Sequence, residues 1–131
     1  FNADSKSSSL VFLTLEPRQM SFDMSGRVEQ IYKRFFVGIG IREDFGLVRQ
    51  GLASDGGFID EDLYYAADSP YPYAARCVRE NSDIATPFCI RDIHLGKNLM
   101  LTYRFHKRFL PQWIELDQAL RAHVRSMITN L

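Results

Sequence analysis

Three stretches in the second half of the chain have the length and residue types of β-strands, and they constrain the fold more than any other feature. They cover residues 74–80, 88–95 and 99–106. Gly96-Lys97-Asn98 separates the last two stretches, which is the spacing of a tight hairpin turn. Strands joined by so short a connection pair antiparallel. The sequence therefore predicts an antiparallel sheet in this part of the chain.

Two more strands are predicted near the N-terminus, on either side of a proline. Residues 10–15 form a short run that is almost entirely apolar. In residues 19–24, apolar and polar side chains alternate, as they do in a strand with one buried face. Pro17 lies between the two stretches, where it favours a turn.

Two segments repeat apolar residues with the period of an α-helix. The first begins at Ser25, a residue type that caps helices, and its apolar side chains continue to Phe36. Glu29 and Lys33 would form a favourable i,i+4 pair on its exposed side. The second segment is opened by Pro111, which suits the first turn of a helix, and its apolar stripe continues to residue 128.

The pattern is weaker in residues 42–68, between the first predicted helix and a segment rich in tyrosine and proline at residues 69–73. Residues 43–50 could form a short helix, or residues 47–52 a strand, and residues 54–57 form a turn. Residues 58–67 are predicted to be irregular, with room for one short helix. Residues 42–68 contain seven acidic and two basic residues, so this stretch is the negative part of the molecule.

These elements predict a single α+β domain over residues 10–131, preceded by a flexible lead-in of residues 1–9. The domain would contain an antiparallel sheet of about five strands, with a helix from the N-terminal half and a long C-terminal helix packed on it. The order of the elements resembles that of small PAS-type sensor domains, which place two strands, a helical middle and three strands in that sequence. The resemblance lies in the order alone, so it implies no function.

The two cysteines lie in neighbouring predicted strands. Eleven residues separate Cys77 from Cys89, a spacing that matches neither a CxxC redox pair nor a four-ligand zinc site. A cross-strand disulfide would stabilise the fold by roughly 3 kcal/mol in the chain-entropy model. The alternative is two buried free thiols. The disulfide would favour an extracytoplasmic location, either the periplasm or the cell envelope.

Composition and motifs exclude several classes of function. Sixteen Lys and Arg balance sixteen Asp and Glu, whereas nucleic-acid-binding modules carry a basic excess. No apolar run approaches the roughly 20 residues that span a bilayer, although the last helix could continue into an anchor beyond this sequence. Neither phosphate-binding glycine motif occurs, and the residues around Asp55 do not fit a calcium loop. No cofactor, metal site or catalytic residue is therefore predicted.

A partner or ligand surface is predicted from two groups of residues. Tyrosines precede or lie within the extended Tyr/Pro-rich segment of residues 69–73. Tyrosine is enriched at interfaces because it combines a large apolar ring with a polar end. Basic residues recur along the predicted strands, where they could bind an anion. The alternatives are that the rings complete the domain's own core and that the charges prevent aggregation of edge strands. The predicted surface comprises Tyr64, Tyr65, Tyr71, Tyr73, Arg76, Arg91 and Arg104.

The main functional hypothesis is a non-enzymatic extracytoplasmic binding domain that contacts a partner protein or a small ligand, anionic or not. A first alternative is a small enzyme that uses His94 or His106 with Asp92 for acid–base chemistry. A second alternative is a self-assembling structural subunit, a homo-oligomer in which acidic residues 42–68 of one copy meet the basic sheet of another. The formal charge of zero thus combines an acidic middle with a basic sheet.

Overall fold

The computed structural model describes residues 11–79 and 87–128, and within them it contains one antiparallel sheet of seven strands. Strands β2 to β7 follow one another across the sheet in chain order. The first strand, β1, pairs with the last, β7, so the order is β1-β7-β6-β5-β4-β3-β2. The predicted lead-in lies outside the described residues. The strands are β1 (Phe12–Pro17), β2 (Phe36–Arg42), β3 (Val48–Leu52), β4 (Glu61–Tyr65), β5 (Ala74–Val78), β6 (Phe88–Leu95) and β7 (Leu99–His106).

The two α-helices among the described residues lie on opposite faces of the sheet. Helix α1 (Arg27–Gln30) continues into a 3-10 turn at Tyr32–Phe35. Helix α2 (Trp113–Met127) follows a 3-10 segment at Lys107–Gln112. Neither helix combines the length and the apolar character that crossing a membrane requires. The mixed α+β class and the long C-terminal helix are confirmed, whereas the sheet is larger than predicted and the PAS-type order is not confirmed.

Each face of the sheet has its own core, because alternate residues of a strand point to opposite faces. We call the face under helix α2 the α2 face and the opposite one the α1 face. On the α2 face, Trp113 and Val124 of the helix pack with buried residues of β4 to β7, among them Tyr64, Ile93 and Phe105. The core of the α1 face consists of Met24, Val28, Tyr32, Leu52, Phe58, Leu63 and Ala74.

Two consecutive residues of β6 attach the helices to the sheet by buried ion pairs of opposite polarity. Arg91 points to the α2 face, where its Nε donates to Asp117 Oδ1 at 2.9 Å. Asp92 points to the α1 face and accepts from both terminal nitrogens of Arg27, at 3.0 and 2.6 Å. Since adjacent strand residues face opposite ways, the pair Arg91-Asp92 anchors both layers from a single point in the sheet.

The disulfide prediction is confirmed. Cys77 of β5 lies directly opposite Cys89 of β6, and the two residues form a disulfide that is fully buried. The only other residue pair that joins these strands in the described part of the chain is Arg76 with Ile90. The disulfide therefore covalently reinforces the shortest strand pairing of the sheet.

The first half of the chain is more strand-rich than the sequence predicted. The predicted helix from Ser25 is α-helical for one turn and 3-10 helical at Tyr32–Phe35. Its last residue, Phe36, begins β2, because β-branched and aromatic residues also fit an exposed strand. The expected Glu29–Lys33 pair is present at 2.7 Å. Residues 19–24 form bends and turns where a strand was predicted: Asp23 accepts hydrogen bonds from Ser25 and from the backbone of Gly26, which closes a local turn.

The middle of the chain contributes two central strands. Of the two alternatives for residues 43–52, the strand is correct, and it forms β3. The prediction of irregular structure for residues 58–67 is wrong, because β4 runs from Glu61 to Tyr65. The acidic residues of β4 tolerate this position because arginines on neighbouring elements neutralise them: Asp62 pairs with Arg79 at 2.8 Å.

Candidate functional site

A cleft of about 640 Å³ opens on the α2 face of the sheet, beyond the N-terminal end of helix α2. Its volume is in the range of small-molecule and peptide-binding sites. Strands β3 and β4 and the residue after β5 form one side, and the 3-10 segment that precedes helix α2 forms the other. The cleft is lined by Glu43, Phe45, Arg49, Asp62, Tyr64, Arg79, Lys107, Arg108, Leu110 and Pro111.

The lining contains four cationic side chains and two carboxylates, so its formal charge is positive. Glu43 accepts a hydrogen bond from Arg49 Nε at 2.9 Å. This hydrogen bond raises the pKa of Arg49 above its ordinary value, so the guanidinium is fully charged at neutral pH. Asp62 is buried and accepts from Arg79 Nε at 2.8 Å. Both carboxylates are therefore matched by an arginine within the cleft.

The other two cations lie in the 3-10 segment. Lys107 Nζ donates to the backbone carbonyl of Val78 at 3.2 Å and lies 5.6 Å from the centre of the Tyr64 ring. Arg108 is exposed and lies over the ring of Phe109, at 4.9 Å from its centre. These contacts place both positive charges along the rim of the cleft.

One arginine of the cleft, Arg79, is held by three acceptors. Arg79 donates to the backbone carbonyls of Leu52 and Glu61, at 3.1 and 3.0 Å, besides its bond to Asp62. A guanidinium fixed by several acceptors loses little side-chain freedom when it binds a carboxylate or phosphate. Such an arrangement holds the positive charge of Arg79 at a fixed position in the cleft.

The predicted surface residues do not form one surface, because they are distributed over both faces and the core. Of the four tyrosines, Tyr64 is buried at the base of the cleft. Tyr65 lies on the α1 face, where its ring stacks on Phe36 at 5.7 Å between centres. Tyr73 is buried and packs on Trp113, at 4.8 Å between ring centres.

Tyr71, Tyr73 and Arg91 belong to an internal network centred on Asp117. Arg91 and Asp117 are fully buried, and Arg91 lies 4.2 Å from the centre of the Tyr73 ring. The hydroxyl groups of Tyr71 and Tyr103 both donate to the Asp117 carboxylate. Burial alone would raise the pKa of Asp117, but the charge of Arg91 and the hydrogen bonds from its partners hold it at about 2. This network explains why the Tyr/Pro segment docks on the domain.

Arg76 and Arg104 lie on the α1 face, in one cross-strand row with Ile90 between them. Arg104 is exposed and sits between the rings of Phe12 and Phe88, 5.1 and 5.0 Å from their centres. Arg76 is half-buried and faces Glu61 at 3.8 Å. Of the predicted surface residues, Arg104 is therefore the most accessible.

The histidines and Asp92 do not assemble into an acid–base pair. His94 lies opposite Met100 and His106 opposite Phe88, which places the two histidines about 20 Å apart along the hairpin. Asp92 is occupied by Arg27, as described above. Burial and the nearby charge of Arg18 lower the pKa of His94, so its ring is neutral at pH 7.

The comparisons with known proteins give no family assignment. The sequence matches no family model, and no curated protein or solved structure is significantly similar to it. Within residues 11–79 and 87–128, no three His, Cys, Asp or Glu side chains come together in a way that could hold a metal ion.

The sequence did not single out the cleft, because its lining comes from four separate parts of the chain. Arg79, Lys107 and Arg108 belong to the basic stretch that the sequence made visible, but nothing in the sequence distinguished them from Arg104. Arg49 lies in the acidic stretch and gave no signal. The pairing of β3 with β4 and of β4 with β5 brings Arg49 and Arg79 together, and the pairing of β5 with β6 and of β6 with β7 places the segment of Lys107 and Arg108 beside them.

Proposed function

We propose that this chain is a non-enzymatic binding domain that takes an acidic segment of a partner protein into the cleft of the α2 face. The observation that carries the proposal is the positive lining, in which four cations accompany two carboxylates that already have arginine partners. Acidic side chains would complement the exposed charge of Arg108 at the rim, and the rings of Phe45 and Tyr64 offer apolar contact beside it.

The compartment is proposed from the disulfide. A buried cross-strand disulfide between Cys77 and Cys89 persists best where thiols are not continuously reduced, which supports an extracytoplasmic location. Alkylation of protein isolated without reductant, followed by mass spectrometry, should find no free thiol. Two alkylated cysteines per chain would refute this part of the proposal.

The enzyme alternative has less support. A catalytic base needs a partner within hydrogen-bonding distance, and Asp92 is committed to Arg27 on the α1 face. His106 Nδ1 accepts from the backbone of Arg108, so it orders the start of the 3-10 segment. Both groups therefore have a structural role.

The experiment is a titration of the ¹⁵N-labelled protein with a hexaglutamate peptide, monitored by NMR. We expect the largest shifts at backbone amides of β3, β4 and the 3-10 segment, and an affinity that falls as salt is raised, because the interaction is electrostatic. A hexalysine peptide should produce no shifts in the cleft. Absence of binding by hexaglutamate, or shifts confined to other surfaces, would contradict the proposal.

Matched charge reversals separate the cleft from a general charge effect. Arg108→Glu should weaken hexaglutamate binding by about tenfold, because it replaces an attractive rim charge by a repulsive one. Arg34→Glu makes the same change in net charge at an exposed residue outside the cleft, and it should change the affinity less than about twofold. Equal effects of the two substitutions would indicate non-specific attraction and would overturn the assignment of the cleft.

A further inference from the structure

Strand β2 is an outer strand of the sheet, and its exposed side chains are unusual for such a position. No described strand pairs with its outer edge. Val37, Ile39 and Ile41 are exposed by 47%, 91% and 49%. Natural edge strands are protected by charged side chains or proline, and β2 contains neither before its last residue, Arg42. An edge of this kind is ready to pair with another strand.

The side-chain order of β2 is symmetric about Ile39. From residue 37 to residue 41 the sequence reads Val-Gly-Ile-Gly-Ile. If two copies of β2 pair antiparallel with Ile39 at the centre, Ile39 faces its own copy, Gly38 faces Gly40, and Val37 faces Ile41. Every β-branched side chain then meets another one, and cross-strand pairs of this type stabilise sheets.

A β-bulge interrupts the pairing of β2 with β3 at the centre of β2. Between Val37 and Ile41 the register with β3 shifts, so that three residues of β2 stand opposite Gln50. The Gln50 side-chain amide donates to the backbone carbonyls of Val37 and Gly38, at 2.9 and 3.1 Å. Gly38 has a φ of 73°, which favours glycine. The bulge therefore has satisfied carbonyls on its inner side and presents Ile39 outward.

We propose that β2 is a dimerisation strand whose partner is β2 of a second copy of this chain, related by a twofold axis at Ile39. Twofold interfaces are self-complementary and are the commonest in soluble oligomers. The two sheets would join into one continuous antiparallel sheet, in which the exposed β2 edge of each copy is paired with that of the other. This proposal is independent of the cleft, because its contacts are apolar and main-chain.

Sedimentation and light scattering of the whole chain test the proposal. We expect a dimer that persists at about 1 M salt, since apolar and main-chain contacts are little affected by screening. Ile39→Lys should weaken dimerisation by roughly a hundredfold, because two ammonium groups would face each other at the axis. The matched control is Ile59→Lys, an exposed isoleucine outside β2, which should leave the dimer unchanged. A monomeric wild type, a dimer that dissociates at high salt, or an unaffected Ile39→Lys variant would overturn the proposal.

A cross-linking measurement tests the register as well as the interface. Directly opposed residues of antiparallel strands have Cβ atoms about 5 Å apart, which suits a disulfide. Ile39→Cys should therefore form a covalent dimer rapidly on mild oxidation, while Ile59→Cys should not. Both native cysteines are already joined and buried, so they do not compete. Equal rates of cross-linking for the two variants would refute the placement of the axis.

Discussion

Replacing Asp117 by Asn should destabilise the domain severely. The Asp117 carboxylate is fully buried and accepts hydrogen bonds from four side chains: Arg91, Arg121, Tyr71 and Tyr103. Asparagine keeps the shape but removes the charge, which leaves the buried Arg91 guanidinium without a counter-ion. Removing one partner of a buried ion pair costs about 3–5 kcal/mol. Since small domains have stabilities of about 5–15 kcal/mol, this is a large part of the total.

Equilibrium unfolding in urea measures the effect. For an m-value of about 2 kcal/mol/M, a loss of 4 kcal/mol lowers the unfolding midpoint by about 2 M. Glu115→Gln is the matched control, because it removes the same charge from an exposed position in the same helix. We expect the control to change the midpoint little. A midpoint for Asp117→Asn within about 0.5 M of wild type would refute the reasoning.

The pH dependence provides a second readout of the same residue. The folded-state pKa of Asp117, about 2, lies below its ordinary value of 3.8. A depressed pKa of a carboxyl group means that its contribution to stability is present above pH 4 and is lost as the pH falls through about 2. The difference corresponds to about 2 kcal/mol. The gap in unfolding free energy between wild type and Asp117→Asn should therefore narrow between pH 4 and pH 2, and a constant gap would contradict this account.

A double substitution separates the net contribution of the Arg91–Asp117 ion pair to stability from the cost of leaving one of the two charges buried without its partner. Arg91→Met together with Asp117→Leu removes both charges, and leucine keeps the branched shape of the aspartate with methyl groups in place of the carboxylate oxygens. Replacing a whole buried pair in this way is often close to neutral. Here Tyr71 and Tyr103 would lose their acceptor, so we expect the double variant to be less stable than wild type but more stable than Asp117→Asn. A double variant less stable than the single one would indicate that packing around Asp117 matters more than its charge.

Two further perturbations test other parts of the fold. Arg27→Met should lower the free energy of unfolding by about 3 kcal/mol, because it leaves the buried Asp92 without its partner and removes the ion pair that attaches helix α1. The control is Arg34→Met at an exposed position, measured by the same urea unfolding. Equal effects of the two substitutions would argue against the ion pair. Replacing both Cys77 and Cys89 by Ala should cost about 3 kcal/mol, the value for a closed loop of this length, and a midpoint equal to that of wild type would show that the cross-link adds nothing.

The elements that were predicted accurately are those whose signal is local. Strands β6 and β7 match the predicted stretches, because a short turn and alternating side chains define both of them. Helix α2 was recognisable from its apolar stripe alone. Asp117 and Arg121 have the i,i+4 spacing of a helical ion pair, which is also a local signal, and the pair is present at 3.0 Å.

The elements that were missed depend on distant partners. The acidic strand β4 could not be recognised, since what makes Asp62 acceptable in a strand is Arg79, which lies in a different element. Similarly, Arg91 alternates with apolar residues as an exposed strand residue would, and only the arrival of Asp117 from helix α2 turns it inward. The cleft combines both difficulties, because each of its charges comes from a segment whose position depends on the others.

The neutral charge of the chain takes on a different meaning in the folded protein. From the sequence, acidic residues 42–68 of one copy could meet the basic sheet of another copy. In the structure they meet within one copy, because β4 pairs with β5: Asp62 is matched by Arg79, and Glu61 faces Arg76. Asp68 pairs with Arg42 of its own stretch. Fewer acidic groups are then left for a charge-paired assembly, while the exposed Arg108 at the rim of the cleft and the apolar edge of β2 are the features open to a partner.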